Sequence, residues 1–421
     1  MKKPHIIILG CNFAGLTTAR QVYAEVKGKA DITIIDRKSL LTFVPNIPLQ
    51  VLANINPAVD LQFKFMSFLE HHGSEFIQAE VTTIDPDTNT VIYQPNGRSG
   101  HPARKMNYDY LIVALGNRLA YDKIDGFSEY GHSVTDAFLG NRLRHYLHKE
   151  YKGGPIAVTS DIFHQGKSDK LPKNLPVALT ACEGPPIEMV FSLAHWLEKN
   201  QKGNTSSIFL STPSKVIAED AGETITSKLV PMMVNMGYNY QANTNGIKKV
   251  YKGGVEFNDG STQEAEIAIL FPDWQAHTFL KELPFTDDMG FVITDLHMRN
   301  PDYQNIFAVG DAASITVPKI GSLGHMEAEV LAKTLGKEIG LIQGDVKPME
   351  FELLCMCDMG GIEGSYVRTD EWWGEKESNL EMGIAPYALK MGFKQMYYTL
   401  GGKIPRWGLA MSEVIADHTF V

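Results

Sequence analysis

The first 36 residues constrain the fold more than any other stretch of the chain. Ile6-Ile-Ile-Leu9 is a short, wholly apolar run, the pattern of a strand buried on both faces. Gly10-Cys-Asn-Phe-Ala-Gly15 follows, then a helical run from Leu16 to Val26 and a second strand, Asp31-Ile-Thr-Ile-Ile35, ending at Asp36. Strand, glycine turn, helix and a second strand with a terminal acid form the βαβ unit that binds a dinucleotide. Gly10 makes the tight turn and Gly15 lets the helix pack close. A pyrophosphate sits at the helix N-terminus, and Asp36 is positioned to hydrogen-bond a ribose hydroxyl. The middle glycine of this motif is Asn12, so its side chain must point away from the phosphates or bond to them.

Two later segments narrow the choice of dinucleotide. Tyr108-Asp-Tyr-Leu-Ile-Val-Ala-Leu-Gly116 reads as a strand ending in a small-residue turn, and Asn305-Ile-Phe-Ala-Val-Gly-Asp-Ala-Ala313 as a strand ending in Gly-Asp. Both resemble the second and third fingerprints of flavoproteins with two dinucleotide domains, in which the aspartate, here Asp311, bonds the ribityl chain of FAD. Asp311 also suits a helix cap, and the two roles are compatible.

A chain of 421 residues exceeds one ordinary core, so two or three domains are expected. A net charge of -10 argues against a general nucleic-acid binder. No apolar run is long enough to span a membrane, and Met1-Lys-Lys-Pro-His leads into the first strand with no signal-peptide pattern. The four cysteines (Cys11, Cys182, Cys355, Cys357) are too few for a disulfide framework, so each invites a chemical reason.

Residues 119 to 285 are expected to form a second α/β unit. Pro155-Ile-Ala-Val-Thr159 starts a strand, but no glycine fingerprint follows it. A polar insert, Ser160 to Asn174, reads as a surface loop. Val177 to Leu179 reads as a strand, Cys182 falls in the turn after it, and Gly184-Pro185-Pro186 opens a helix from Ile187 to Glu198. A thiol there gains thiolate character from the helix dipole; a buried structural cysteine is the alternative. Ser207 to Ser211 reads as a strand, and Tyr251 to Phe257 with Asn258-Asp-Gly260 as a β-hairpin. Cys-Glu-Gly-Pro-Pro in place of a phosphate-binding turn argues against a nicotinamide site.

After a helix from Met326 to Leu341, Cys355-Met-Cys357 offers a C-x-C too poor in neighbouring ligands for a metal. From Ala385 to Leu400, residues Leu389, Phe393, Met396, Tyr397 and Leu400 share one helical face, with Lys390 and Lys394 toward the other side. Trp407, Met411, Val414 and Ile415 make a second stripe. Either the stripes pack on the protein's own core or they lie in a membrane interface, which Arg406, Trp407 and the tyrosines suit.

With these motifs the chain resembles the sulfide:quinone oxidoreductases, membrane-associated members of the flavin disulfide reductase group, along nearly its whole length. The resemblance runs through the fingerprint to Asp36, Leu41-Thr-Phe-Val-Pro45, Cys182-x-Gly-Pro-Pro-x-Glu188, Gly310-Asp311 and Cys355-x-x-Asp-Met-Gly360. It implies an α/β fold: an FAD-binding Rossmann domain from 1–118 and 286–342, a second Rossmann-like domain at 119–285, and a C-terminal region at 343–421 with amphipathic membrane helices. It implies FAD held without a thioether, since the family's frequent third cysteine aligns near Ser133. The implied flavin contacts are Gly10, Asn12, Ala14, Gly15, Asp36, Arg37, Pro45, Val81, Ala114, Gly116, Gly310, Asp311 and Lys319. Cys182 and Cys355 become a redox pair joined by a disulfide or a sulfur chain. Glu188 becomes a proton handler, or else a solvated residue. Lys319 and Lys390 steady negative charge, or are surface lysines, and Lys390, Phe393 and Tyr397 border a quinone. The implied partners are hydrogen sulfide, a membrane quinone and a lipid bilayer surface at the cell membrane, with homo-oligomerisation open and no nucleic acid. An NADH:quinone reductase and a non-catalytic membrane flavoprotein are the rival readings. The missing glycine turn speaks against the first and the paired cysteines against the second.

Overall fold

The computed structural model describes residues 2–66, 69, 73–96 and 102–402. Its largest sheet runs in the order Ile306–Ala308, Tyr110–Val113, His5–Leu9, Asp31–Asp36, Glu75–Asp85, Thr90–Pro95, Arg104–Asn107. The first five strands are parallel, and the last two turn antiparallel off the far half of Glu75–Asp85. Ile6, Ile7, Ile8 and Leu9 are completely buried, as an apolar run covered on both faces requires. The helices Phe13–Val26 and Gly321–Glu338 pack together on this sheet.

A second parallel sheet has the order Gly131–His132, Ile267–Phe271, Ile156–Ser160, Ile208–Ser211, Asn239–Gln241. The expected strand at Val177–Leu179 is absent, and Val177 is exposed. Both neighbours of Ile156–Ser160 are already taken by other strands, so the sheet has no interior edge to offer it. The polar insert is only partly a surface loop. Phe163 buries itself against Phe291, and Asp161 accepts the Ile247 N–H at 2.8 Å. The expected hairpin gains a third strand, in the order Ile247–Tyr251, Gly254–Phe257, Thr262–Glu264.

The C-terminal region is not simply helical. Leu353–Gly360, Glu363–Thr369 and Ser378–Gly383 form an antiparallel sheet that leads into the helix Ile384–Thr399. The striped face of that helix does not make an exposed apolar patch. Tyr397 is buried among Phe13, Phe43 and Phe63, while Leu389, Phe393 and Met396 are half-buried. Lys390 is not on a solvated side either; it is buried. Phe43, Phe63 and Phe13 supply Tyr397 with an apolar partner within the chain. Arg406, Trp407, Met411, Val414 and Ile415 lie outside the described residues. Among the described residues no helix is long and apolar enough to cross a membrane.

Candidate functional site

The dinucleotide cradle is built from backbone that tolerates no side chain. Gly10 has φ +95°, and a Cβ there would stand 2.2 Å from Ala114 O; a Cβ on Gly15 would stand 2.1 Å from Gly10 O. Asn12 caps the helix Phe13–Val26 through its backbone only, with its side chain in solvent, so it occupies the missing glycine's position without filling the cradle. Asp36 accepts the N–H of Cys11 at 2.6 Å and of Lys38 at 2.8 Å, which locks the acid under the turn. Ala14 approaches Gly310, where a Cβ would come 2.7 Å from its methyl. Ala114 and Val81 are buried beneath, Gly116 takes φ +70°, and the Arg37 side chain is exposed.

The Gly310–Asp311 turn is held from below. The buried Glu327 accepts the Gly310 N–H at 2.5 Å and lies 2.7 Å from Thr316 Oγ1. Asp311 accepts from Asn117 Nδ2 at 2.7 Å. Lys319 is buried, donates to Ala313 O at 2.8 Å and sits 4.1 Å over the Phe291 ring. Burial pushes its ammonium down to about 8 against the pull of Asp311. Ser322, in the first turn of the helix Gly321–Glu338, has a buried hydroxyl with no partner among the described residues. Two glycines with no room for a Cβ, two helix N-termini and an orphaned hydroxyl suit a dinucleotide that brings phosphates and hydroxyls.

Beside this cradle lies a largely apolar cavity of ≈ 300 Å³. Cys182, Cys355, Cys357, Glu188, Lys319, Lys390 and Phe393 all border it, so segments far apart in sequence converge there. The helix Gly184–Lys199 is buried nearly all round, and Ser192 on it donates to Asp358 Oδ2 at 2.7 Å. That bond fixes the strand Leu353–Gly360, and with it Cys355, against the turn that carries Cys182. Gly184 matters here because a Cβ on it would lie 3.2 Å from Cys355 Sγ.

All four cysteines are free thiols here, Cys182 and Cys355 among them. Three expectations need correction. The Cys182 thiol is not eased toward thiolate. It precedes the helix by two residues, and burial plus the Asp220 carboxylate push it well up, more than the Gly184 N–H relieves. Glu188 is not solvated: its carboxylate meets Lys390 Nζ at 2.8 Å, both side chains almost wholly buried. Burial raises Glu188 to about 7 even so, while Glu188 raises Lys390. Lys390 also donates to Pro45 O at 2.9 Å and Met356 O at 3.2 Å. Tyr397 does not border the cavity but stands behind Phe13, ring centres 5.4 Å apart.

Sequence reasoning missed Asp220, Glu183 and His325. Asp220 borders the cavity, and Glu183 is buried with its carboxylate on Thr212 Oγ1 and the Ala218 N–H. His325 also borders the cavity, its Nδ1 2.6 Å from Thr17 Oγ1. None belongs to a local pattern; only Glu183, beside Cys182, was near a residue already under suspicion.

These buried acids set a pH dependence. Burial raises Glu183 to about 8 and Glu188, Asp220 and Glu327 to about 7. An acid whose folded pKa exceeds its unfolded one holds more protons when folded, so stability falls as pH rises between the two values. His132 and His325, pushed down to about 4, act in the opposite sense, but only below their ordinary 6.5. Above that the carboxyls dominate, at ~1.4 kcal/mol per pKa unit for each. The urea midpoint of the protein at fixed cofactor loading is expected to fall from about pH 6.5 to about pH 8. A flat or rising midpoint would show that these acids are ionised in the fold at little cost.

Residues 4–149 match the family model described as pyridine nucleotide-disulphide oxidoreductase. The sulfide-quinone reductase of Aquifex aeolicus is 23% identical over 423 residues, 93% of this chain and 90% of that protein. A probable NADH dehydrogenase of Dictyostelium discoideum is 21% identical over 383 residues, 87% of this chain and 80% of that one. Among solved structures, the sulfide:quinone oxidoreductase of Aquifex aeolicus superposes with a TM-score of 0.80 at 20% identity, covering 99% of this chain and 96% of that one. NDH2 of Plasmodium falciparum reaches 0.68 at 14% identity, with 99% of each chain covered. In fold and along nearly its whole sequence the chain is thus similar to the sulfide:quinone oxidoreductases, within the wider set of two-sheet dinucleotide-binding oxidoreductases.

Proposed function

We propose that this protein is an FAD-dependent sulfide:quinone oxidoreductase. The observation that carries the reading is the convergence of Cys182 and Cys355, 173 residues apart, on one apolar cavity beside the dinucleotide cradle. FAD would supply the two-electron relay between the thiol site and a quinone. Gly10, Gly15, Asp36, Gly310 and Asp311 would hold it without a covalent link, and Lys319 would set positive charge against it. Hydrosulfide is already a nucleophile at neutral pH. It attacks a disulfide or sulfur chain between Cys182 and Cys355, so that one sulfur gains a persulfide and the other leaves as a thiolate. Sulfur departs as a short polysulfide or as the element. Glu188, near neutrality beside the Lys390 ammonium at the cavity wall, is the group that takes up or releases a proton there, and Lys390 keeps its charge. Phe393 gives the wall an apolar face for a quinone ring.

The cell membrane is where such a quinone resides. The apolar residues of the C-terminal sequence, Trp407 and Met411 among them, support attachment there as a peripheral protein. The likeness to NADH dehydrogenases keeps one rival alive, and one experiment separates the two. Under anaerobic conditions sulfide is expected to bleach the flavin within the mixing time and NADH to leave it oxidised. Bleaching by NADH alone would reverse the assignment.

A further inference from the structure

Cys357 has no part in the reaction as described. It follows Cys355 by two residues on the strand Leu353–Gly360, the two facing Ser365 and Val367 of the neighbouring strand. Alternate residues of a strand share a face. Both thiols accordingly reach the turn that opens the helix Gly184–Lys199, Cys357 Sγ lying 4.0 Å from Gly184 O. The two sulfurs are 3.6 Å apart, which is contact. Two residues at a strand rise of about 3.3 Å set the Cα atoms ~6.6 Å apart, inside the ~4.4–6.8 Å span that disulfides occupy. Leu353–Gly360 is an edge strand, and its register shifts between Asp358 and Gly360. A neighbouring strand pairs it on one side, while Ser192 holds Asp358 and Lys390 holds the Met356 carbonyl, which keeps the two thiols at their present separation. The hydrogen bond to Cys355 and burial push the Cys357 thiol well up, and of the charged groups beside it Glu188 adds to this while Lys390 opposes it, so its proton leaves only as the exchange proceeds.

The geometry points to Cys357 as a resolving thiol, which exchanges with the Cys182–Cys355 bridge to form a Cys355–Cys357 disulfide. The inference rests on the reading of Cys182 and Cys355 as a redox pair. The Cys357 sulfur attacks Cys355 Sγ, and the bond from Cys355 toward Cys182 breaks as the new one forms. The proton of Cys357 ends on the sulfur released. With a plain disulfide that sulfur is the Cys182 thiol; with a bridge one atom longer it is the Cys182 hydropersulfide. No electrons enter or leave, so no oxidant is consumed. The oxidising equivalent then rests on neighbours of a single strand, and the Cys182 sulfur is free to give up its cargo.

The test reads covalent state rather than turnover. Trypsin leaves Cys355 and Cys357 together in peptide 338–368 and Cys182 in peptide 174–199. The holoenzyme is treated with the thiol oxidant diamide, quenched in acid, alkylated and mapped without reduction. A fraction of 338–368 is expected unlinked, unalkylated and lighter by two hydrogens. In Cys182→Ser the same treatment is expected to convert nearly all of it to that form. The inference is overturned alone if 338–368 is cross-linked to 174–199 while Cys357 is alkylated in every molecule, diamide-treated Cys182→Ser included. If all three thiols of the oxidised wild-type enzyme are alkylated, the inference falls together with the redox pair beneath it.

Discussion

Cys355→Ser is expected to abolish sulfide-driven quinone reduction, and Cys182→Ser to do the same, with the flavin still bound in both. A hydroxyl forms neither a persulfide nor a disulfide, so the substitution removes the bond the reaction is built on. The expected loss of turnover is on the order of 10³-fold or more, the scale seen when one member of a group acting as a unit is removed. The substitutions are otherwise mild. Cys182 and Cys355 are half-buried at a cavity wall, and neither helps to form the cradle of Gly10, Gly15 and Gly310. Flavin content and absorbance should therefore match the wild type, which separates a chemical defect from a folding one. If Cys355→Ser kept near-normal turnover and Cys357→Ser lost it, the members of the C-x-C would exchange roles. If both Cys182→Ser and Cys355→Ser stayed active, the sulfide mechanism would be wrong.

The second large effect is on stability. Lys390→Met removes the ammonium that holds the helix Ile384–Thr399 to Pro45 O, to Met356 O and to Glu188. It leaves a buried carboxylate without its counter-charge, and breaking such a pair from one side costs ~3–5 kcal/mol. Part of that loss is avoided if Glu188 takes up a proton, which its position near neutrality allows. The deficit should accordingly be smaller at about pH 5.5 than at about pH 8, where the orphaned carboxylate must be ionised or protonated against the solvent. The double variant Lys390→Met with Glu188→Leu is expected to regain most of the loss, because an apolar pair often replaces a buried ion pair at little cost. Urea titrations of the three proteins measure this. A single-variant loss under ~1 kcal/mol, the size of a surface pair, would show that water reaches the site.

The N-terminal unit was legible in residue order because everything that shapes it is local. Ile6 to Asp36 contains its own strand, turn, helix and acid, and the steric demand on Gly15 comes from Gly10, five residues away. The Gly310 turn and the absence of a second glycine fingerprint were readable for the same reason. The likeness to a known family then supplied Cys182 and Cys355 as partners, which no spacing between them implies.

The errors fell where the outcome depends on what the rest of the chain brings alongside. Val177–Leu179 has the composition of a strand, but the sheet beside it was already filled by Ile267–Phe271 and Ile208–Ser211. Lys390 sits on what periodicity marks as a polar face, yet Glu188, 202 residues earlier, makes that face an interior one. Tyr397 belongs to an apolar stripe either way, and only the rings of Phe13, Phe43 and Phe63 decide that it packs inward. Residue order alone thus determined the backbone-scale devices: the tight turn, the helix start, the acid at a strand end. Tertiary structure alone decided burial, ion pairing and the company each thiol keeps, because desolvation and Coulomb energy depend on distance in space and not on separation along the chain.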